Sequence, residues 1–288
     1  MYAGDVSNTV RLPTSPLRRG TAIDNYRTVR LIGRGGMGEV YLARDTKLGR
    51  KVALKLINRD QIGERDAVER FLFEARATAV FNHPNIVTIY AAGEHQGRPY
   101  VALEYVEGQS LGQRLEQGPV SRAEALRIGL AIGRALVEAH RQNLLHRDLK
   151  PDNVLISGEG IVRVADFGLA KVIGPGQWPG SIDAPLFAAV AGPDVSTLDE
   201  PFATRDRGWR GTPPYMAPEQ WRELEPKEAT DIWALGLILH EMLAGRHPYK
   251  EKISSPTSLA YMVCGPRPVP LDPCLLYTSD AADDSIRV

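Results

Sequence analysis

The sequence predicts an α+β fold in which a small strand-rich part with one helix precedes a larger, mostly helical part. Three observations predict it. Between Tyr26 and Tyr105 the apolar residues fall in short runs rich in Val, Ile, Leu and Tyr. Beyond Gly108 they recur at helical spacing instead. The chain has 288 residues, 43% of them hydrophobic and 24% charged, which places it with ordinary globular proteins and supplies enough material for a full core.

In chain order, residues 1–25 mix Ser, Thr, Pro, Gly and Arg without periodicity and read as a flexible lead-in. Strands are expected at 26–32, 39–44, 51–57, 86–92 and 100–105. One helix is expected over 66–81, where Val68, Phe71, Leu72, Ala75, Thr78 and Ala79 share a helical period. A second helix is expected over 122–141, apolar at 126, 130, 132, 136 and 137. A third, over 230–244, is apolar nearly all round and is expected to be buried. Between these two lie short strands at 153–156 and 162–164. They are followed by an irregular stretch over 172–210, a length that in compact domains marks function or disorder.

Lys plus Arg and Asp plus Glu both number 35, so no field of one sign draws the whole molecule to nucleic acid or an anionic membrane. Cys264 and Cys274 lack metal-type spacing and fit a reducing compartment. No apolar run approaches the length of a membrane span, and no secretory leader pattern opens the chain. The expectation is a cytoplasmic chain without a membrane segment.

Three segments carry chemistry. In Leu31-Ile-Gly-Arg-Gly-Gly-Met-Gly-Glu-Val40, glycines 33, 35 and 38 have the spacing that lets backbone N–H groups approach phosphates. A strand-like segment follows where a dinucleotide-binding fold needs a helix, so that fold is set aside; a glycine-rich turn without a ligand is the bland alternative. Lys55, on the apolar run Val52-Ala-Leu-Lys55, requires an anionic partner, and Glu74 in the 66–81 helix is the natural one. Read separately, Lys55 could snorkel and Glu74 could be a solvated surface residue. His146-Arg-Asp-Leu-Lys-Pro-Asp-Asn153 and Val164-Ala-Asp-Phe-Gly168 place acidic residues and an asparagine at strand ends. There they can supply a proton acceptor for a hydroxyl and oxygen ligands for Mg²⁺.

Taken together in this order, the motifs resemble those of the eukaryotic-type (Hanks-type) serine/threonine protein kinases, in wording similar to the bacterial members. The resemblance covers about residues 26–265 and implies a two-lobed protein kinase fold with an antiparallel sheet in the small lobe, divided at 26–105 and 106–273. It implies ATP and Mg²⁺ as cofactors and phosphorylation of Ser/Thr hydroxyls on protein substrates. By the same resemblance the loop Ile32, Gly33, Gly35, Gly36, Gly38 and Val40 covers the phosphates, Lys55 holds them, and Glu74 clamps Lys55. Val40, Ala53 and Leu155 sandwich adenine, and Glu104 and Val106 offer the hinge backbone. Asp148 accepts the hydroxyl proton, Lys150 steadies the γ-phosphate, and Asn153 and Asp166 hold Mg²⁺. Lys150 with Thr212 points to Ser/Thr specificity. The expected phosphorylation site in the activation segment is Thr204, with Ser181, Ser196 and Thr197 as alternatives, and pairing of two copies for autophosphorylation is the partner expectation.

Two departures from the family pattern stand out. The activation segment is longer than usual. After Met262 the expected further helices are missing, among them the one whose arginine pairs with Glu219. The loss of such a partner from a buried ion pair costs about 3–5 kcal/mol, and poor folding is therefore expected. Cys274 to Asp283 reads like a translated sequencing-library adapter, so 274–288 is expected to be a non-native tail. The alternative functions are a small-molecule phosphotransferase, disfavoured by Gly211-Thr-Pro-Pro-Tyr-Met-Ala-Pro-Glu219, and a pseudokinase or inactive fragment acting as a binding module.

Overall fold

The computed structural model describes residues 16–35, 38–58, 75, 79, 82–167, 213–222, 224–250 and 255–265. The small lobe is built on a six-stranded antiparallel sheet. Its strands are β1 (Ala22–Ile23), β2 (Tyr26–Gly35), β3 (Gly38–Asp45), β4 (Lys51–Ile57), β5 (Ile89–His95) and β6 (Arg98–Glu104), in the order β1-β2-β3-β4-β6-β5. Alternation along each strand sends one set of side chains to each face. Ile23, Tyr41, Leu54, Leu56 and Tyr100 pack on one face, and Ile57, Ala75, Val87, Val101 and Leu103 on the other. Of the helix expected over 66–81, only Ala75 and Ala79 are described; Ala79 N–H bonds the Ala75 carbonyl at 3.0 Å, one α-helical step.

Ordered structure begins before Tyr26, which corrects the reading of 1–25 as a flexible lead-in. Ile23 pairs with Tyr26 across β1 and β2 and is fully buried. Upstream, Leu17 N–H bonds the Tyr41 hydroxyl at 2.8 Å, and the Thr28 hydroxyl bonds the Arg18 carbonyl at 2.8 Å. These contacts join segments distant in sequence, so local composition does not register them. Residues 1–15 lie outside the described set.

In the large lobe, β7 (Gly108–Ser110), β8 (Val154–Ser157) and β9 (Val162–Val164) form a three-stranded antiparallel sheet. Helices α1 (Leu111–Glu116), α2 (Arg122–Arg141), α3 (Pro218–Trp221), α4 (Glu228–Ala244) and α5 (Pro256–Cys264) surround it. Helix α2 starts at Ser121, whose hydroxyl accepts the Glu124 N–H at 3.1 Å, and ends with His140 and Arg141 against the negative end of its dipole. Gly245, at φ 68°, closes α4 in the left-handed conformation a side chain would resist.

The buried face of α2 is Ile128, Ile132, Ala135, Leu136 and Ala139, packed on Ala234, Ile238 and Met242 of α4 and on Val154 and Val164. Leu126, Leu130 and Val137, which the sequence periodicity counted toward the core, are 60–62% exposed. They lie on the side of α2 away from α4. Helix α4 is likewise less enclosed than its composition suggests: Thr230, Asp231, Leu237 and Ile238 are buried, while Ile232 and Leu243 face outward.

Candidate active site

A cleft of about 590 Å³ opens between the lobes. Ile32, Gly33 and Val40 of the β2–β3 hairpin and Ala53 of β4 line one side, facing Leu155 and Ala165 of the large lobe. At the tip of the hairpin Gly35 and Gly38 are register partners. Gly38 has φ 149°, and a Cβ there would stand 1.9 Å from the Leu56 carbonyl oxygen. The glycine is thus required by the close passage of β4 beneath it, in addition to any approach of phosphate.

Glu104 and Val106 close the cleft where β6 leads into the large lobe. The Glu104 carboxylate is engaged by Arg163 Nε at 3.0 Å and by Thr88 N–H at 3.3 Å, so what Glu104 offers the cleft is its backbone. Gly36 and Glu74 lie outside the described residues.

Lys55 on β4 is buried, and its Nζ lies 2.7 Å from Asp166 Oδ2 on the segment following β9. This is the anionic partner that Lys55 finds among the described residues. Burial pushes the Asp166 carboxyl up, but Lys55, with His146 and Lys150 nearby, outweighs it and holds the carboxyl below the usual carboxylate range. Asp166 adopts φ 65°, a left-handed backbone uncommon for a residue with a side chain.

Asp148 Oδ2 lies 2.8 Å from Lys150 Nζ, and Asn153 Nδ2 donates to the Asp148 carbonyl at 2.8 Å. The Asn153 carbonyl in turn accepts the Ala165 N–H at 2.8 Å, so one hydrogen-bonded path runs from Asp148 to the residue before Asp166. The loop carrying Asp148 is tethered from below. Asp231, 1% exposed on α4, accepts the His146 N–H at 2.9 Å and the Arg147 N–H at 2.8 Å, with His140 Nε2 at 2.8 Å from the same carboxylate. His146 Nε2 is 2.8 Å from the Ala165 carbonyl, and its ring packs edge-on against Phe167 with centroids 4.7 Å apart. Gln220 Nε2 donates to the Arg147 carbonyl at 2.8 Å.

The structure therefore places Lys55, Asn153 and Asp166 in one cleft, with Asp148 and Lys150 joined to it through the Asn153–Asp148 hydrogen bond and the Lys150–Asp148 ion pair. Thr204, Ser181, Ser196, Thr197 and Thr212 fall outside the described residues. Glu219 is not a stranded buried charge: it is partly exposed and accepts a hydrogen bond from the Thr230 hydroxyl. The penalty expected for a lost buried partner does not apply to it. The tether role of Asp231 was hidden in the sequence, where the residue marked only the start of an apolar helix; an acidic side chain within such a helix is the signal, since burial obliges it to find donors.

Comparison with known proteins agrees with this geometry. The family model described as "Protein kinase domain" matches residues 26–264. The chain is 36% identical over 236 residues to a probable serine/threonine-protein kinase PknB of Bifidobacterium longum, covering 78% of the chain and 31% of that protein. It is 34% identical over 264 residues to the serine/threonine-protein kinase PknA of Mycobacterium tuberculosis, covering 90% and 56%. It thus spans about a third to a half of the length of these curated relatives. Among solved structures, the M. tuberculosis PknI kinase domain superposes with a TM-score of 0.60 at 26% identity, covering 81% of this chain and 78% of that one. The chain belongs to the protein kinase domain family.

Proposed function

We propose that this chain transfers the γ-phosphoryl group of ATP to serine and threonine hydroxyls of protein substrates. The observation that carries the reading is the pairing of Lys55 with Asp166 in a cleft lined on its apolar side by Ile32, Val40, Ala53, Leu103 and Leu155, with Asp148 and Lys150 bonded together next to Asn153 of the same cleft. The names of the relatives support the Ser/Thr preference.

In this reading the apolar side chains of Val40, Ala53 and Leu155 hold the adenine, and Glu104 and Val106 present backbone groups to its edge. Lys55 neutralises phosphate oxygens. Asp148 orients the substrate hydroxyl and takes its proton as the oxygen bonds the γ-phosphorus and the bond to the β-phosphate oxygen breaks. Lys150, already at the Asp148 carboxylate, offsets charge on the transferring group.

Among the described residues no group of three or more His, Cys, Asp or Glu side chains is placed to hold a metal ion. A Mg²⁺ site completed by phosphate oxygens does not need one. The donor set fits such a site: Asn153 commits its NH₂ to the Asp148 carbonyl, leaving its amide oxygen as a ligand, and Asp166 supplies a carboxylate. Mg²⁺ bound there would neutralise charge on the β- and γ-phosphates.

Autophosphorylation within the activation segment, at Thr204 first, belongs to the same proposal, as does pairing of two copies to carry it out. Arg147 Nε is buried and has no hydrogen-bond partner among the described residues, which suits an anionic group arriving beside Asp148. The need for ATP places the domain in the cytoplasm; no helix among the described residues is long and apolar enough to cross a membrane.

The test is phosphate incorporation from labelled ATP and Mg²⁺ into casein by the wild-type chain and by Asp148→Asn. Turnover is expected to fall by at least about a hundredfold in the variant. Equal incorporation by both proteins would overturn the assignment.

A further inference from the structure

The face of α2 turned away from α4 carries a pattern that the core does not account for. Ala123, Leu126, Leu130, Gly133 and Val137 follow one another at steps of three and four, whereas the buried face is made by Ile128, Ile132, Ala135, Leu136 and Ala139. Leu126, Leu130 and Val137 are 60–62% exposed. This is the spacing of the a and d positions of a coiled-coil heptad, with Ala123, Leu130 and Val137 at a and Leu126 and Gly133 at d. The seam ends at Val137, because His140, the next d residue, turns inward to Asp231. The e position beside the seam is arginine in every heptad: Arg127, Arg134 and Arg141, all exposed.

The charges are one-sided. On the opposite flank of the seam the g positions are Arg122, Gly129 and Leu136, of which the last two are buried. The acids of α2, Glu124 and Glu138, lie beyond the arginine column and are engaged. Glu124 pairs with Arg114 at 2.9 Å, and Glu138 accepts from Gln142 Nε2 at 2.7 Å, with Arg141 3.9 Å away. Arg127 donates to the Gly160 carbonyl of the β8–β9 turn through one terminal nitrogen and keeps further donors. At Gly133, beyond the backbone of the helix itself, no atom lies within 4 Å of where a Cβ would stand, so the seam has an open notch between Leu130 and Val137.

We infer that this face of α2 docks a helix of a partner protein, one with an apolar seam flanked by glutamate or aspartate. Helix against helix fits the heptad spacing, and the notch at Gly133 takes a side chain of the incoming helix as a knob in a hole. An acidic partner fits the arginine column, whose charges set its orientation and speed its approach. A second copy of this chain does not fit. In antiparallel contact arginine meets arginine, and in parallel contact it meets Arg122, Gly129 and Leu136. The inference stands apart from the phosphotransfer reading, since the face lies outside the cleft.

The test uses two synthetic three-heptad peptides with leucine at a and d. One carries glutamate and the other lysine at e and g, and like charges keep each from pairing with itself. Binding to the full chain is read by anisotropy of the labelled peptide. The wild-type chain is expected to hold the glutamate peptide at least about tenfold more tightly than the lysine peptide, with the gap narrowing as salt is added. Leu130→Ser should weaken binding of the glutamate peptide about tenfold, the order of one buried leucine. Arg134→Glu should shift the preference toward the lysine peptide by at least about threefold. Thermal melts and phosphate incorporation into casein should be little changed in both variants, because both side chains are exposed and neither lines the cleft.

A wild-type chain that binds neither peptide, or both alike, would overturn the inference and leave the phosphotransfer reading intact. Full binding by Leu130→Ser and Arg134→Glu would place the contact elsewhere and overturn it too. So would capture of the chain by phosphatidylglycerol vesicles, abolished in both variants, without binding of the glutamate peptide, which would assign the face to an anionic lipid surface. A wild-type dimer in sedimentation that Leu130→Ser dissolves would assign the face to a second copy and overturn the inference as well.

Discussion

The Lys55 ammonium lies 2.7 Å from an Asp166 carboxylate oxygen, so a single ion pair joins the sheet of the small lobe to the segment leaving β9 in the large one. The two residues stand 111 positions apart in the chain.

Lys55→Met removes the cation and leaves the Asp166 carboxylate without its main counter-charge. Phosphotransfer is expected to fall by at least about a hundredfold. Because both side chains are largely shielded from water, stability should also fall, by about 1–3 kcal/mol in a denaturant titration. A variant that keeps wild-type turnover would remove Lys55 from the mechanism.

Asp231→Asn replaces a two-oxygen acceptor with one oxygen and an NH₂ group that faces amide donors. The His146 and Arg147 N–H groups then compete for a single acceptor in a site that is 1% exposed. The expected loss is about 2–4 kcal/mol of stability. It should be accompanied by faster hydrogen exchange at these two amides, beyond any change in the strands of the small lobe. Unchanged exchange there would show that the tether is not needed.

Two glycines of one hairpin should respond differently to a methyl group. Gly38→Ala places a Cβ 1.9 Å from the Leu56 carbonyl oxygen at φ 149° and should cost at least about 2 kcal/mol. At Gly35 no atom lies within 4 Å of the added Cβ, and alanine should shift stability by less than about 1 kcal/mol. Comparable melting temperatures for the two variants would contradict the close passage of β4.

His247 supplies a pH dependence. Burial lowers its pKa from 6.5 to about 4, and its Nε2 finds no hydrogen-bond partner among the described residues. Between these values the unfolded chain binds the proton that the folded chain refuses. Stability from this residue is therefore complete above about pH 6.5 and declines as the pH falls toward about 4, by up to about 3 kcal/mol. In melts across this range His247→Gln should flatten the slope, and an identical slope would exclude His247 as its source.

The fold was legible where local and global signals coincide. Helix α2 has the ends its apolar spacing predicts, which coincide with a serine cap and basic closing residues in the structure, and β4 and β9 match because their runs are short and apolar. The exposed Leu126, Leu130 and Val137 misled because periodicity identifies apolar residues without saying which of two apolar faces meets α4. Strand β1 escaped notice because its two residues are ordered by pairing with β2. The motifs named the individual side chains of the site, yet neither the Lys55–Asp166 pair nor, elsewhere in the small lobe, the Arg98–Glu39 pair could be read from them. Both depend on strands whose spatial neighbours are distant along the chain.

Arg147 precedes the proposed proton acceptor, Asp166 is itself a proposed metal ligand, and both hold left-handed backbone, at φ 67° and 65°. Each position is therefore filtered twice, once by what its side chain must do and once by which residues tolerate that main-chain shape. Valine, isoleucine and threonine are disfavoured at both on steric grounds alone. Descendants of this chain that drift away from catalysis should accumulate asparagine, aspartate and glycine at these two places, so the contour of the site would outlast its chemistry.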